Sequence, residues 1–261
     1  MEPIQIAVLA VVLFLGLCIG SFLNVCIYRI PLKISVAGGR SYCPDCRQKI
    51  VWYDNIPLVS FLILKGRCRH CRKNISPVYP IVEALTGILF LLSFWKFGLG
   101  WKFASSVVLI SGLIVVFFID LKYQIIPDAV SLPGILAGVV FSLFIPGFTW
   151  WQSLLGVLIG GGVLYFLATA GQFLFKKESL GGGDIKLAAM LGAFLGWEKV
   201  ILVFFISSLL GAVVGGLLML SIKSFRNKRI IPFGPFLALA SVVALFVGDK
   251  IIYLYLSSVG L

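Results

Sequence analysis

Residues 4–28 carry no charged side chain. As a helix rising about 1.5 Å per residue, that run reaches across the roughly 30 Å of a bilayer's hydrocarbon. Further apolar runs follow at 80–97, 101–119, 128–145, 151–175, 200–222 and 232–256, with a shorter one at 185–195. Lipid offers no partner to a backbone N–H or C=O, so such runs satisfy themselves by becoming helices. Composition agrees, with 60% hydrophobic and 12% charged residues and a mean hydropathy of +1.08, against about 25% charged in a soluble domain. The expectation is an all-α polytopic membrane protein with about eight transmembrane helices. The run 185–195 is too short to cross unaided and reads as a half-helix, which is tolerated where protein or water surrounds it. The first run is also too long for a signal-peptide core and has no positive residue before it.

Three parts follow: a first transmembrane helix (1–28), a polar and basic insert (29–79), and a helical bundle (80–261). The net charge is +12, and its placement decides what it means. Ten Lys and Arg residues fall in the insert, from Arg29 to Lys73. Lys122, the group Lys176, Lys177 and Lys186, and the group Lys223, Arg226, Lys228 and Arg229 fall after alternate spans. Only Lys96, Lys102, Lys199 and Lys250 lie in the other loops. That alternation is the positive-inside pattern of a membrane protein, and it argues against nucleic-acid binding. It predicts a cytoplasmic insert and both termini extracytoplasmic, in a chain embedded in the lipid bilayer.

Acidic residues are few, and two stand at the edges of apolar runs: Asp120 after 107–119, and Asp184 in Gly181-Gly182-Gly183-Asp184-Ile185-Lys186. An acid at the edge of a lipid-embedded helix is costly and asks for a function. The charge pattern puts both on the cytoplasmic side. Two close carboxylates cannot both ionise cheaply, so one keeps a proton while the other stays charged. The charged one can take a proton from water and the protonated one can polarise a carbonyl, which amounts to peptide hydrolysis with no metal in the site. Gly181 and Gly183 permit close backbone approach, and Lys122 and Lys186, each two residues from its acid, favour the ionised forms if they point the same way. Plainer readings stand beside this one. Asp184 also suits a helix N-cap, Asp120 an interfacial acid, and Asp128, after Pro127, the start of a span.

The insert holds Cys43-Pro44-Asp45-Cys46 and Cys68-Arg69-His70-Cys71. Two C-x-x-C pairs with 21 residues between them, slightly beyond the usual gap of about 15–20, suit a structural tetrahedral zinc site, and a cytoplasmic setting disfavours disulfides. A redox pair is the alternative reading. His70 reads as a polar turn residue, and Cys18 and Cys26 as packing residues of the first span.

Together these motifs resemble the type IV prepilin leader peptidases, bacterial membrane aspartic proteases with a G-x-G-D motif. The resemblance runs through Gly20-Ser21-Phe22-Leu23-Asn24-Val25 with Tyr28-Arg29-Ile30-Pro31, then Tyr79-Pro80-Ile81-Val82-Glu83. It continues through Phe118-Ile119-Asp120-Leu121 with Ile126-Pro127-Asp128, Gly181 to Leu187, and Pro232-Phe233-Gly234-Pro235-Phe236. It implies that Asp120 and Asp184 are the catalytic pair, supported by Gly181, Gly183, Lys186 and Asp128. It implies prepilin and pseudopilin helices as substrates, cut on the cytoplasmic side between a basic leader and an apolar helix. The tetracysteine insert implies the bifunctional form, which N-methylates the new terminus with S-adenosylmethionine, and Glu83 is then a candidate on the methylation side. Two rival classes remain. A transporter or channel using Asp120 and Asp184 as ion or proton sites would need its ionisable groups near mid-membrane, and a zinc-bearing scaffold leaves the aspartates unexplained.

Overall fold

The computed structural model describes residues 3–39, 41–175, 181–221 and 232–259. Arg40, Lys176, Lys177, Lys223, Arg226, Lys228 and Arg229, which bear on the charge pattern, lie outside them. The elements in chain order are α1 (Pro3–Arg29), a 3-10 turn (Trp52–Asn55), α2 (Val59–Ile63), α3 (Val78–Phe97), α4 (Trp101–Tyr123), α5 (Asp128–Ser142), α6 (Trp150–Phe175), α7 (Gly182–Leu195), α8 (Trp197–Ser221) and α9 (Gly234–Val259). Among the described residues there is no strand, only isolated bridges at Tyr42–Lys49 and Arg67–Asn74. The protein is all-α and polytopic, as its apolar runs require.

Six helices, α1, α3, α4, α6, α8 and α9, are long and apolar enough to cross a membrane. The other two apolar runs form shorter helices. The run 185–195 becomes α7, 14 residues long. The run 128–145 becomes α5, which stops at Ser142 after 15 residues, about 22 Å at the helical rise and short of the ~30 Å of hydrocarbon. The chain forms two compact units, Met1–Phe103 and Ala104–Leu261.

In the first unit, α1 packs on α3 with almost no space between backbones. A Cβ on Gly16 would lie 2.8 Å from Gly87 Cα, and one on Gly20 would lie 2.8 Å from Glu83 Cα. Small residues four apart let membrane helices approach this closely, where the hydrophobic effect gives no drive to associate. The insert is carried between these two helices in sequence.

In the second unit, buried Leu109, Leu113, Val116, Leu187, Met190, Leu191, Val200, Val203 and Leu237 share one core with their neighbours. Helix α7 lies within it, with every residue from Leu187 to Leu195 buried. Its closest contact is with α6, where a Cβ on Gly156 would fall 2.1 Å from the Gly192 carbonyl oxygen and one on Gly160 would fall 2.3 Å from that of Ala188. The Ser153 hydroxyl donates to the Ala193 carbonyl at 2.8 Å. This surrounding protein explains how a half-length helix is kept. Gly162, two residues on from Gly160, faces open space.

Candidate functional site

Asp120 sits in the last turns of α4 and is buried, with 5% of its surface exposed. The helix runs on to Tyr123, so Asp120 belongs to the helix and does not follow it. Its Oδ2 accepts the backbone N–H of Gly234, the first residue of α9, at 3.1 Å. A Cβ at Gly234 would fall 2.5 Å from that oxygen, so only glycine lets the amide approach in this way. Sequence reasoning noted the Pro232–Pro235 motif but gave Gly234 no task. The available signal was a glycine between prolines at the start of an apolar run.

Asp184 occupies the first turn of α7, whose N-cap is Gly181. The N-cap reading of Asp184 is therefore corrected: the helix begins three residues before the apolar run 185–195. From this third position its carboxylate accepts the Gly181 N–H, like the return bond of a capping box. The charge of Asp120 acts directly on Asp184. Ile126, in the α4–α5 connection, lies against both Gly183 and Gly234 and so joins the two carboxylate-bearing corners. The Asp120 carboxylate of α4 and the backbone amide that opens α9 thus meet, with the first turn of α7 joined to them through Ile126.

The lysines do not serve the acids next to them in sequence. Lys186 Nζ holds both carboxylate oxygens of Asp128 at 2.8 Å, clasping the start of α5 to the first turn of α7. Lys122 lies over the Tyr123 ring, 4.9 Å from its centroid. Asp128 opens α5 as expected.

The insert contains the second constellation. Sγ atoms of Cys43, Cys46, Cys68 and Cys71 all lie within 4.8 Å of one another, with Cys43 and Cys71 3.8 Å apart. A tetrahedron with metal–sulfur bonds of about 2.3 Å has edges of about 3.8 Å, so the cluster fits a metal ion. Its two halves repeat each other. Arg47 N–H donates to the Cys43 carbonyl at 2.9 Å and Cys43 N–H to that of Gln48 at 2.9 Å. Arg72 N–H donates to the Cys68 carbonyl at 3.0 Å and Cys68 N–H to that of Lys73 at 2.9 Å. Arg47 and Arg72 both take positive φ, 58° and 61°. Lys73 bridges the halves through Asp45 at 2.7 Å, and His70 stays outside the sulfur cluster. The Cys71 N–H, helped by that of His70, brings the Cys68 thiol down to about 7. For Cys71 the Lys73 N–H pulls downward, but burial and hydrogen bonds with Cys68, Cys46 and Cys43 outweigh it and raise the thiol to about 11. The Cys68 thiolate forms readily while Cys71 resists, as crowded thiols do before a cation neutralises them.

Glu83, in α3, is buried and accepts the Leu58 N–H at 2.8 Å and the Ser21 hydroxyl. Arg29, also buried, gives its guanidinium to the carbonyls of Ser35 and Gly38, so the two are not paired. Cys26 is buried and Cys18 half-buried, as packing residues.

Two family models match in order. Residues 14–97 match the bacterial peptidase A24 N-terminal domain and residues 107–216 the type IV leader peptidase family. A prepilin leader peptidase/N-methyltransferase of Aeromonas salmonicida is 37% identical over 276 residues, covering 96% of this chain and 94% of that protein. The chain belongs to the type IV leader peptidase family. A namesake enzyme of Pseudomonas aeruginosa is 36% identical, covering 95% of this chain and 93% of its own length. That of Myxococcus xanthus is 44% identical over 81% of this chain, which spans 64% of its length. No solved structure matches this family member. Membership in a leader peptidase family gives no support to the transporter reading of Asp120 and Asp184.

Proposed function

We propose that this chain is a membrane aspartic endopeptidase that removes the basic leader from type IV prepilins and pseudopilins, with Asp120 and Asp184 as its catalytic pair. The observation that carries this reading is the meeting of two half-sheltered to buried carboxylates at one end of α4 and α7. The ionised member takes a proton from water. The resulting hydroxide adds to the scissile carbonyl, whose oxygen is polarised by the protonated member, and the departing amine receives a proton from the pair. The titration belongs to the pair, and no metal is required. Gly181 and Gly183 shape the turn that presents Asp184, while the Asp128–Lys186 clasp holds it.

In this reading the active site faces the cytoplasm of a bacterial inner membrane and both termini are extracytoplasmic, as the distribution of Lys and Arg suggests. The domain division follows: helix 1–28, insert 29–79, and bundle 80–261 with the protease site. The four cysteines hold zinc, the metal that best suits four thiolates in two C-x-x-C turns. The relatives' names extend the reading to N-methylation, for which the family resemblance implies S-adenosylmethionine as donor. Glu83 is a buried carboxylate in that half, and its two acceptor bonds go to protein groups.

The test is cleavage of a prepilin-like substrate by the native protein, Asp120→Asn and Asp184→Asn in inverted membrane vesicles. Each variant is expected to lose at least about 10²-fold in rate, the scale of general acid–base catalysis, while remaining folded. Near-native cleavage by either would end the dyad reading, and equal cleavage in sealed right-side-out vesicles would end the cytoplasmic placement.

A further inference from the structure

Within a polar, basic insert, one short stretch exposes large apolar side chains. Trp52 is 79% exposed, Leu62 72% and Ile63 70%, with Val59 also open. This is not slack packing. Ser60 is buried and ties the 3-10 turn to α2, its hydroxyl donating to the Tyr53 carbonyl at 2.8 Å and accepting the Ile56 N–H at 3.1 Å. The polar Ser60 of α2 thus points inward while Val59, Leu62 and Ile63 point outward, the reverse of a water-facing helix.

The bond between Leu58 and Glu83 sets where this stretch lies. Leu58 has φ 58° and ψ −47°, and Val59 N–H donates to the Pro57 carbonyl at 2.6 Å. This is a γ-turn with positive φ, a strained conformation for a leucine. Its N–H is delivered to Glu83, five residues into α3. Helix α3 has 20 residues, about 30 Å, so it needs its full length to cross about 30 Å of hydrocarbon. Glu83 therefore lies about 7–8 Å along the span, within the roughly 5–10 Å depth at which interfacial helices bury their apolar faces. At that level Phe22 on α1 and Ile81 on α3 are themselves exposed, so the apolar surface continues from the transmembrane helices. Lys65 and Arg67, both exposed, follow α2 directly, as suits contact with anionic headgroups.

We propose that residues 52–63 dock into the lipid interface beside α1 and α3, with Trp52, Val59, Leu62 and Ile63 in contact with lipid. The tetracysteine insert is then held at the bilayer surface by its own side chains as well as by the chain ends that enter it. The inference rests on the membrane span and on Glu83, and not on the peptidase reading.

The test places the full chain in vesicles of phosphatidylcholine and phosphatidylglycerol, with and without brominated acyl chains. Trp52 emission is taken as the difference between native protein and Trp52→Phe. Bromolipid is expected to lower that difference several-fold, with aqueous iodide having little effect. Quenching by iodide and not by bromolipid would overturn the proposal. Glu83→Ala, which removes the acceptor for Leu58, is expected to weaken the bromolipid effect; an unchanged effect would overturn the anchoring role of Glu83. A photoactivatable group at position 62 gives an independent reading. Adducts with lipid support the proposal, whereas adducts with an added peptide of basic leader and apolar helix, or with a second copy of the chain, would assign the surface to protein instead.

Discussion

Gly234 donates its backbone N–H to Asp120 Oδ2 at 3.1 Å, across 114 residues of sequence. One carboxylate is thereby seated on the start of α9, a helix distant in the chain. The added methyl group of Gly234→Ala would fall 2.5 Å from the Asp120 oxygen, so the aspartate or the helix start must shift. Cleavage is expected to drop by about 10–10²-fold, in line with misplacing a catalytic group by up to about 1 Å. The loss should appear in kcat more than in KM, because the displaced group acts in the transition state. Gly162→Ala, which adds a methyl group in open space, is the matched control and should cleave normally.

The Asp128–Lys186 clasp leads to a second expectation. Both side chains are about half exposed, at 55% and 41%, so a double-mutant cycle should give a coupling of about 0.2–1 kcal/mol and no more. Asp128→Asn and Lys186→Met should each slow cleavage modestly, and the exchange Asp128→Lys with Lys186→Asp should recover part of the loss. If Lys186→Met alone were as damaging as Asp184→Asn, the lysine would act on the reaction itself.

Metal removal tests the insert. The native chain should carry about one zinc ion in its Cys₄ site, and Cys43→Ser or Cys71→Ser should lose it and leave residues 41–75 open to proteolysis. Elemental analysis showing unchanged zinc in both variants would dismiss the site.

A fourth expectation concerns pH. The Arg69 guanidinium bonds both oxygens of Asp54, at 2.7 and 2.6 Å, and holds its carboxyl below the ordinary value. A lowered acid stabilises the fold above its unfolded pKa of about 3.9 and loses that effect as pH falls through the folded value. Arg69 is 46% exposed, so solvent screens the pair and the contribution is small. Resistance of the insert to proteolysis should therefore differ between native protein and Asp54→Asn at neutral pH, and the difference should vanish on acidification below about pH 4. A difference that grew with acid would contradict the pairing.

The helices were legible because lipid leaves a chain of apolar runs little choice, and the proposal that Asp120 and Asp184 work as a pair draws on charge and placement. The cysteine cluster was legible from its two C-x-x-C turns. What the sequence hid depends on distant packing. Lys186 finds Asp128 only because α5 lies on α7, and a neighbouring acid in sequence was a poor guide to its partner. The Gly234 amide carries no side chain to announce its role. Leu62 and Ile63 lie in a five-residue helix, too short for any hydrophobic period to register.

The sheathing of α7 by glycine contacts has a consequence for genetics. Gly192 stands about 12 Å along the helix axis from Asp184, and its space is already filled by α6. A bulkier residue at Gly156 or Gly192 pushes the helix as a rod, and the displacement emerges at the far end, where the carboxylate is. Such alleles would score as loss of activity in a screen, and a map of inactivating changes would trace the α6–α7 seam as if it belonged to the active site.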